Sequence, residues 1–315
     1  MKKIEAHTRM RFILVITMLL IATVGFGQQE PMYSQYSNSM LTVNPAYAGA
    51  RGMLNLTTIR RDQWISLDGA PQTQAISIHS PFRHFSMGLG ASFLTDNIGP
   101  IKQIGVYFDY SYKIDFTEGR TLSFGLKGGF NKYELNLTEL KTTDPNDPVF
   151  SFNINTNILP NFGVGALYHT NRFYAGLAIP ELLKNVINKA ESTTTETLSK
   201  EEIHMYVMAG NVFDINPIMK LKPYFMARLA MNAPVSFDLS TQVIFYDTFW
   251  VGAMYRFGDA LGALMQVKIT DQITLGYAYD FTTTDLSRYN NGTHEILLSF
   301  DFDFGKGRIR SPRYF

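Results

Sequence analysis

Asp301 and Asp303 lie two residues apart near the C-terminus. In an extended chain they share a face about 7 Å apart, twice the per-residue rise of a strand, a spacing at which two carboxylates can divide acid and base roles. No nucleophile or second base accompanies them, and two residues on the wall of a hydrated lumen is the reading we prefer. Gly88-Leu89-Gly90 and Gly163-Val164-Gly165 would suggest phosphate-binding loops only if each followed a strand and opened a helix. Both fall instead inside segments of alternating polarity, where small residues relieve crowding. Asp144-Pro145-Asn146-Asp147-Pro148 offers hard oxygen ligands for calcium but lacks the other ligands of a helix–loop–helix site, and its Pro, Asn and Asp favour a turn. The histidines include His79, His169, His204 and His294, and no two have metal-binding spacing. Nothing in the order of residues assembles a Ser-His-acid triad. Asp62 and Trp64, just before Asp68-Gly69-Ala70-Pro71, are candidates for partner binding, since exposed Trp favours binding hot spots. A Trp seated at a membrane interface fits equally.

The elements that would carry these residues are strands. From Glu295, Ile296, Leu298, Phe300, Phe302 and Phe304 alternate with Glu295, Leu297, Ser299, Asp301 and Asp303. This period of two marks a two-faced strand. The same pattern sets Ile273, Leu275, Tyr277, Tyr279 and Phe281 against Thr274, Gly276, Ala278 and Asp280, and sets Phe237, Leu239 and Val243 against Asp238, Ser240 and Gln242. It recurs over 103–113 and 122–131. One face is bulky and apolar, and the other is small, polar or charged. Runs of about 9–11 residues match a tilted strand crossing a bilayer, and only a closed barrel crosses lipid without an unpaired edge. Strands are expected near 53–61, 72–80, 85–95, 102–114, 120–132, 160–169, 172–180, 203–213, 219–231, 235–246, 248–257, 260–270, 272–283 and 294–304. The long links, 133–159, 181–202 and 284–293, all follow odd strands, while short links follow even ones. That asymmetry is expected of an outer-membrane barrel with short periplasmic turns, long outer loops and both termini in the periplasm. Phe249 and Tyr255 fit aromatic girdles.

Residues 1–27 read as a cleaved secretory signal. Lys2, Lys3, Arg9 and Arg11 precede an apolar run from Phe12 to Phe26, and Gly25 and Gly27 sit at the small-residue positions of a cleavage site. The run is shorter than the roughly 20 residues of a spanning helix. Aromatics make up 14% and charged residues 17% of the chain, against about 25% charged in soluble proteins. Loss of the four basic residues and Glu5 with the signal leaves 24 basic and 26 acidic residues, a balance that gives no reason to expect nucleic-acid binding. There are no cysteines, so disulfides and thiolate metal sites are excluded.

An ordered set of short motifs resembles the PorP/SprF family of the type IX secretion and gliding system. They are Gln35-Tyr36, Asn44-Pro45-Ala46-Tyr47-Ala48-Gly49, Arg61-Asp62-Gln63-Trp64, Gly69-Ala70-Pro71-Gln72-Thr73, Asp96-Asn97-Ile98-Gly99-Pro100, Pro160 to Gly165, Phe173 to Gly176, Leu221-Lys222-Pro223, Gly276 to Asp280, Gly292 to Ile296 with Thr293 where Ser is commoner, and Ser311 to Phe315. The resemblance spans nearly the whole mature chain. It implies an outer-membrane protein that supports secretion or surface attachment of large proteins such as adhesins and connects to periplasmic parts of the machine. It carries over no catalytic residues.

These readings give an all-β protein: a signal peptide at 1–27, a periplasmic N-terminal segment at 28–52, a transmembrane antiparallel barrel of about fourteen strands at 53–304, and a basic periplasmic tail at 305–315. No enzymatic activity, cofactor or metal is expected. The expected partners are outer-membrane lipid, a secreted or surface cargo protein and periplasmic secretion components, with Asp62, Trp64, Arg313 and Phe315 as partner-binding candidates. The loops 133–159 and 181–202 would form the recognition surface. An outer-membrane channel or solute transporter is the alternative function, and a barrel lipase a more distant one. Phe300→Arg is expected to impair insertion, and Ser299→Arg, facing the lumen, to be tolerated better.

Overall fold

The alternating segments close into one antiparallel ladder in the computed structural model, which describes residues 31–82, 86–116, 119–140, 153–187, 200–230, 233–302 and 314. The strands are β1 (Leu54–Asp62), β2 (Gln72–Phe82), β3 (Met87–Ile98), β4 (Ile101–Asp115), β5 (Thr121–Leu135), β6 (Ile154–Asn155 and Leu159–His169), β7 (Phe173–Ile179), β8 (His204–Asn211 and Phe213–Asn216), β9 (Met219–Ala230), β10 (Ser236–Phe245), β11 (Phe249–Arg256), β12 (Ala260–Lys268), β13 (Ile273–Thr282) and β14 (Thr293–Phe302). β6 and β8 are each interrupted once. Both parts of β6 pair with β5, and both parts of β8 pair with β9, so each counts as one strand. The ladder is therefore a fourteen-stranded barrel. β1 closes it on β14, from Leu54 opposite Phe302 to Asp62 opposite His294. All fourteen expected strands are present, with ends within three residues of expectation apart from the added Ile154–Asn155 piece.

The faces also fall where the alternation puts them. On β14, Glu295, Leu297 and Ser299 are buried while Ile296 and Phe302 are exposed. Ile76, Phe93, Phe108, Phe124 and Leu239 are exposed on the outer face. A continuous ring of large apolar side chains suits hydrocarbon rather than water. No helix among the described residues is long and apolar enough to cross a membrane. The barrel is that of an outer-membrane protein. Its two ends differ: 170–172, 217–218, 246–248 and 269–272 are short turns at one end, while 136–153, 180–203 and 283–292 are long links at the other.

The interior departs from expectation. A hydrated lumen with a separate N-terminal segment is replaced by a packed core. Residues 33–50 lie inside the barrel, with Tyr36, Met40, Leu41, Ala46 and Tyr47 buried against Leu167, Tyr174, Met208, Tyr224, Met254 and Leu264 of the wall. The physical reason is that these inward side chains are themselves apolar, and burying them together removes that area from water.

Candidate functional site

Residues 31–53 are too short to form a core alone, and the wall supplies what they lack. Three short helical turns, Tyr36–Asn38, Met40–Val43 and Pro45–Tyr47, fold the segment up inside the lumen. Asn44 caps the third turn, its side-chain oxygen accepting from the Ala46 amide at 3.0 Å, and Pro45 fits the first position because its missing N–H would have had no partner there. The same Asn44 donates to the Ala166 carbonyl at 3.2 Å, tying the cap to β6.

Near the long-link end, the segment meets a belt of alternating charge. Arg228 and Arg256 both bind Asp238, each at 3.0 Å. Arg256 reaches Asp280 at 3.8 Å, Arg61 binds Asp280 at 2.8 Å, and Arg61 binds Glu295 at 3.1 Å. Three guanidiniums thus balance three carboxylates across six strands. Asp280 leans over β12 at Gly262, where a Cβ would come 2.7 Å from its Oδ1. The belt grips the segment: Glu295 accepts the backbone N–H groups of Ser34 and Gln35 at 2.7 and 2.8 Å, Ser34 Oγ donates to Asp280 at 2.6 Å, and Arg61 donates to Ser34 Oγ at 2.7 Å. Buried charges hold together only when so paired and bonded.

At the short-turn end the anchors are mostly backbone. Ser111 donates to the Ala48 carbonyl at 2.7 Å, the Gly49 amide donates to His79 Nδ1 at 3.1 Å, and Lys113 donates to the Gly49 carbonyl. Arg51 donates to Ser299 at 3.2 Å and lies 3.5 Å from Asp301. In between, Lys127 donates to the Thr42 carbonyl at 2.9 Å, and Lys222 donates to Ser37 at 3.2 Å.

Glycines on the wall mark the path of the segment. A Cβ on Gly88 would stand 2.1 Å from the Ala48 oxygen, one on Gly125 2.1 Å from the Ala46 nitrogen, and one on Gly165 2.2 Å from Asn44 Oδ1. The crowding these glycines relieve is therefore between the wall and a second stretch of chain.

A second polar cluster pins the long link between β7 and β8. Glu181 and Glu201 enter from its two feet. Asn131 donates to both carboxylates, at 3.2 Å and 3.0 Å, Asn161 donates to both at 3.3 and 3.1 Å, and Tyr107 and Tyr133 donate to Glu181 and Glu201 respectively. The feet of this link are wall structure, and residues 188–199 lie outside the described ones.

The sequence candidates are not brought together. Asp62 ends β1 and binds the exposed Arg60 at 2.9 Å. Trp64, half-buried, begins the next link, its amide donating to Thr293 Oγ1 at 3.2 Å. Asp301 is a partner of Arg51 and accepts from Asn55 at 2.7 Å. The signal peptide, Asp303, the 144–148 loop, Arg313 and Phe315 lie outside the described residues. Tyr314, between the last two, bonds to Asp247 at 3.1 Å and to Lys220 in the turn region joining β9, β10 and β11. Among the described residues no three His, Asp or Glu gather as a metal site. The arrangement is mechanical: it fixes a segment of chain in a rigid wall. Of the residues that do this, Asp280 and Glu295 stand on the polar faces that the alternation marks, Arg61 enters the sequence reading only through a family motif and His79 only as one of the histidines, and nothing there shows what they would face.

A family model described as type IX secretion system membrane protein PorP/SprF matches residues 25–300. No curated protein matches the chain. Similar solved structures include the CymD monoaromatic hydrocarbon channel (11% identity, 90% of this chain and 98% of that one, TM-score 0.49). Others are a Pseudomonas aeruginosa FadL homologue (11%, 82% and 93%, 0.47) and the Acinetobacter baumannii outer membrane protein Omp33 (10%, 79% and 98%, 0.46).

Proposed function

The chain belongs to the PorP/SprF family of type IX secretion system membrane proteins, and on that premise we propose that it is a non-enzymatic outer-membrane platform that supports export or surface anchoring of particular cargo proteins, adhesins among them. In this reading the long links face the cell exterior and meet cargo, and the short turns and basic tail face the periplasm and the rest of the machine. The observation that carries it is the filled lumen. A solute channel needs a continuous water path, and here Tyr36, Met40, Leu41 and Tyr47 occupy it, packed against the wall. A cavity of about 60 Å³ beside Tyr33, Thr42 and Val43 has room for a few waters. A plugged, rigid barrel serves as a mount for its loops, which is what anchoring requires.

The test compares the surface and secreted proteomes of a deletion strain with its complemented parent. Loss of one or a few large surface proteins, with bulk export intact, is expected and names the cargo. An unchanged proteome together with solute conductance by the purified barrel in planar bilayers would replace this reading with the channel.

A further inference from the structure

The segment runs through the lumen in one direction, and that direction fixes where the chain comes from. Ser34 and Gln35 are held by Glu295, the third residue of β14 counted from the long-link end, and Ser34 by Asp280 and Arg61 at the matching level of β13 and β1. Ala48, Gly49 and Arg51 are held by Ser111, His79 and Ser299 toward the opposite end, where Leu54 opens β1. Pro31 borders a cavity with Gln103, Pro180 and Glu181, all at the long-link end.

We infer that the chain enters the barrel from the long-link end, so that Pro31 and Met32 belong to the same mouth as the links 63–71 and 283–292. Two observations argue against a return path down the lumen. The belt fixes the level of Ser34 and Gln35 with four hydrogen bonds to buried groups, and releasing them would leave paired charges partly unsatisfied. The cavity beside Pro31 and Tyr33, about 60 Å³, has room for a few waters and not for a strand of polypeptide. Pro31 and Met32 are correspondingly part-exposed while Tyr33 to Ser37 are buried. If long links face outward, as the proposed function has it, the N-terminal segment is part of the surface offered to cargo and not of the periplasmic face. The mouth then presents Pro31 and Met32 beside the feet of the 180–203 link.

The chain has no cysteine, so single cysteines report cleanly. Met32→Cys, Pro31→Cys, Asp285→Cys in a long link and Asp271→Cys in a short turn are each placed in the full chain and expressed in cells. Correct folding is checked by heat-dependent gel mobility. Labelling with a membrane-impermeant maleimide is compared before and after opening the outer membrane. We expect Met32→Cys and Pro31→Cys to share the accessibility of Asp285→Cys. If both instead follow Asp271→Cys, or stay unlabelled after the membrane is opened, the inference is overturned. Which of Asp285→Cys and Asp271→Cys is labelled on intact cells decides the orientation separately, so a failure of that reading is distinguishable from a failure of this one.

Discussion

Gly125 and Ala46 approach so closely that a Cβ built on the glycine would lie 2.1 Å from the Ala46 amide nitrogen. The obstruction is backbone against backbone, which no rotamer change can relieve. The barrel wall and the N-terminal segment therefore fit as a lock fits one key, at Gly125, at Gly88 against Ala48, and at Gly165 against Asn44. Glycine is used here for close approach rather than for a turn.

Gly125→Val should expel the segment while leaving the strand ladder intact. The expected result is a barrel that still migrates as folded before heating, unfolds at lower denaturant and conducts ions where the parent does not. Gly128→Ala is the control on the same strand, since a Cβ there meets nothing nearer than the Phe162 ring at 3.8 Å. Equal, silent behaviour of both variants in conductance would mean that the segment is not what closes the lumen.

Arg61→Ala should destabilise the barrel strongly. Arg61 is 1% exposed and is the direct partner of both Asp280 and Glu295. Removing it leaves Glu295 without its cationic partner and Asp280 with only the longer contact to Arg256, a loss of about 3–5 kcal/mol in comparable buried pairs. Arg60→Ala, one residue away, breaks an exposed pair with Asp62 and should cost less than about 1 kcal/mol. Urea unfolding of the barrel refolded into vesicles reads both, and a similar cost for the two would show that the belt does not hold the segment.

Phe108→Arg should impair insertion by about 2–4 kcal/mol, the cost of Arg at the midplane of a barrel. Phe108 lies mid-way along β4 on the lipid face and is 65% exposed. Tyr246→Arg, in the turn between β10 and β11, is the tolerated control. The milder outcome expected from sequence for Ser299→Arg does not survive the structure. Ser299 is 4% exposed and bonded to Arg51, Asn55 and Thr57, so a second guanidinium would be forced against the first. Both Phe300→Arg and Ser299→Arg should now damage folding, for different reasons, as yields of folded protein on refolding into vesicles would show.

The barrel was legible because strand alternation is a local signal. Ile296 against Glu295 or Phe281 against Asp280 can be read two residues at a time, and lipid outside enforces the contrast. The filled lumen was not legible, because it depends on contacts between residues far apart in sequence, such as Ser34 with Glu295 and Gly125 with Ala46. The segment 33–50 lacks the period of two and looks like a linker when read alone. A clue was present nonetheless: Leu297, Leu264, Met254 and Tyr224 are large apolar residues on the inward face, and a water-filled lumen offers no reason for them. Likewise Tyr133 and Leu135 extend β5 beyond its expected end because they pack on Leu137 and Ile187, a cluster outside the reach of strand periodicity.

The C-terminal tail offers a separate prediction. Tyr314 bonds to Asp247 and Lys220, and Lys220 lies over its ring with the ammonium 4.8 Å from the centroid. Asp247 sits with Tyr246 in the tight turn 246–248, both at positive φ, a conformation that Asn tolerates as readily as Asp. Asp247→Asn therefore keeps the turn and removes the charge, and Tyr314→Phe removes the hydroxyl. The pair is part-exposed, so global stability should change by less than about 1 kcal/mol in either variant. Docking of Tyr314 should slow proteolysis of the bond that precedes it. Trypsin should cut there several-fold faster in both variants than in the parent, read by mass spectrometry of the released dipeptide. Unchanged cleavage would mean that the tail does not depend on this contact to stay against the short-turn end, and that a periplasmic partner would find it already free.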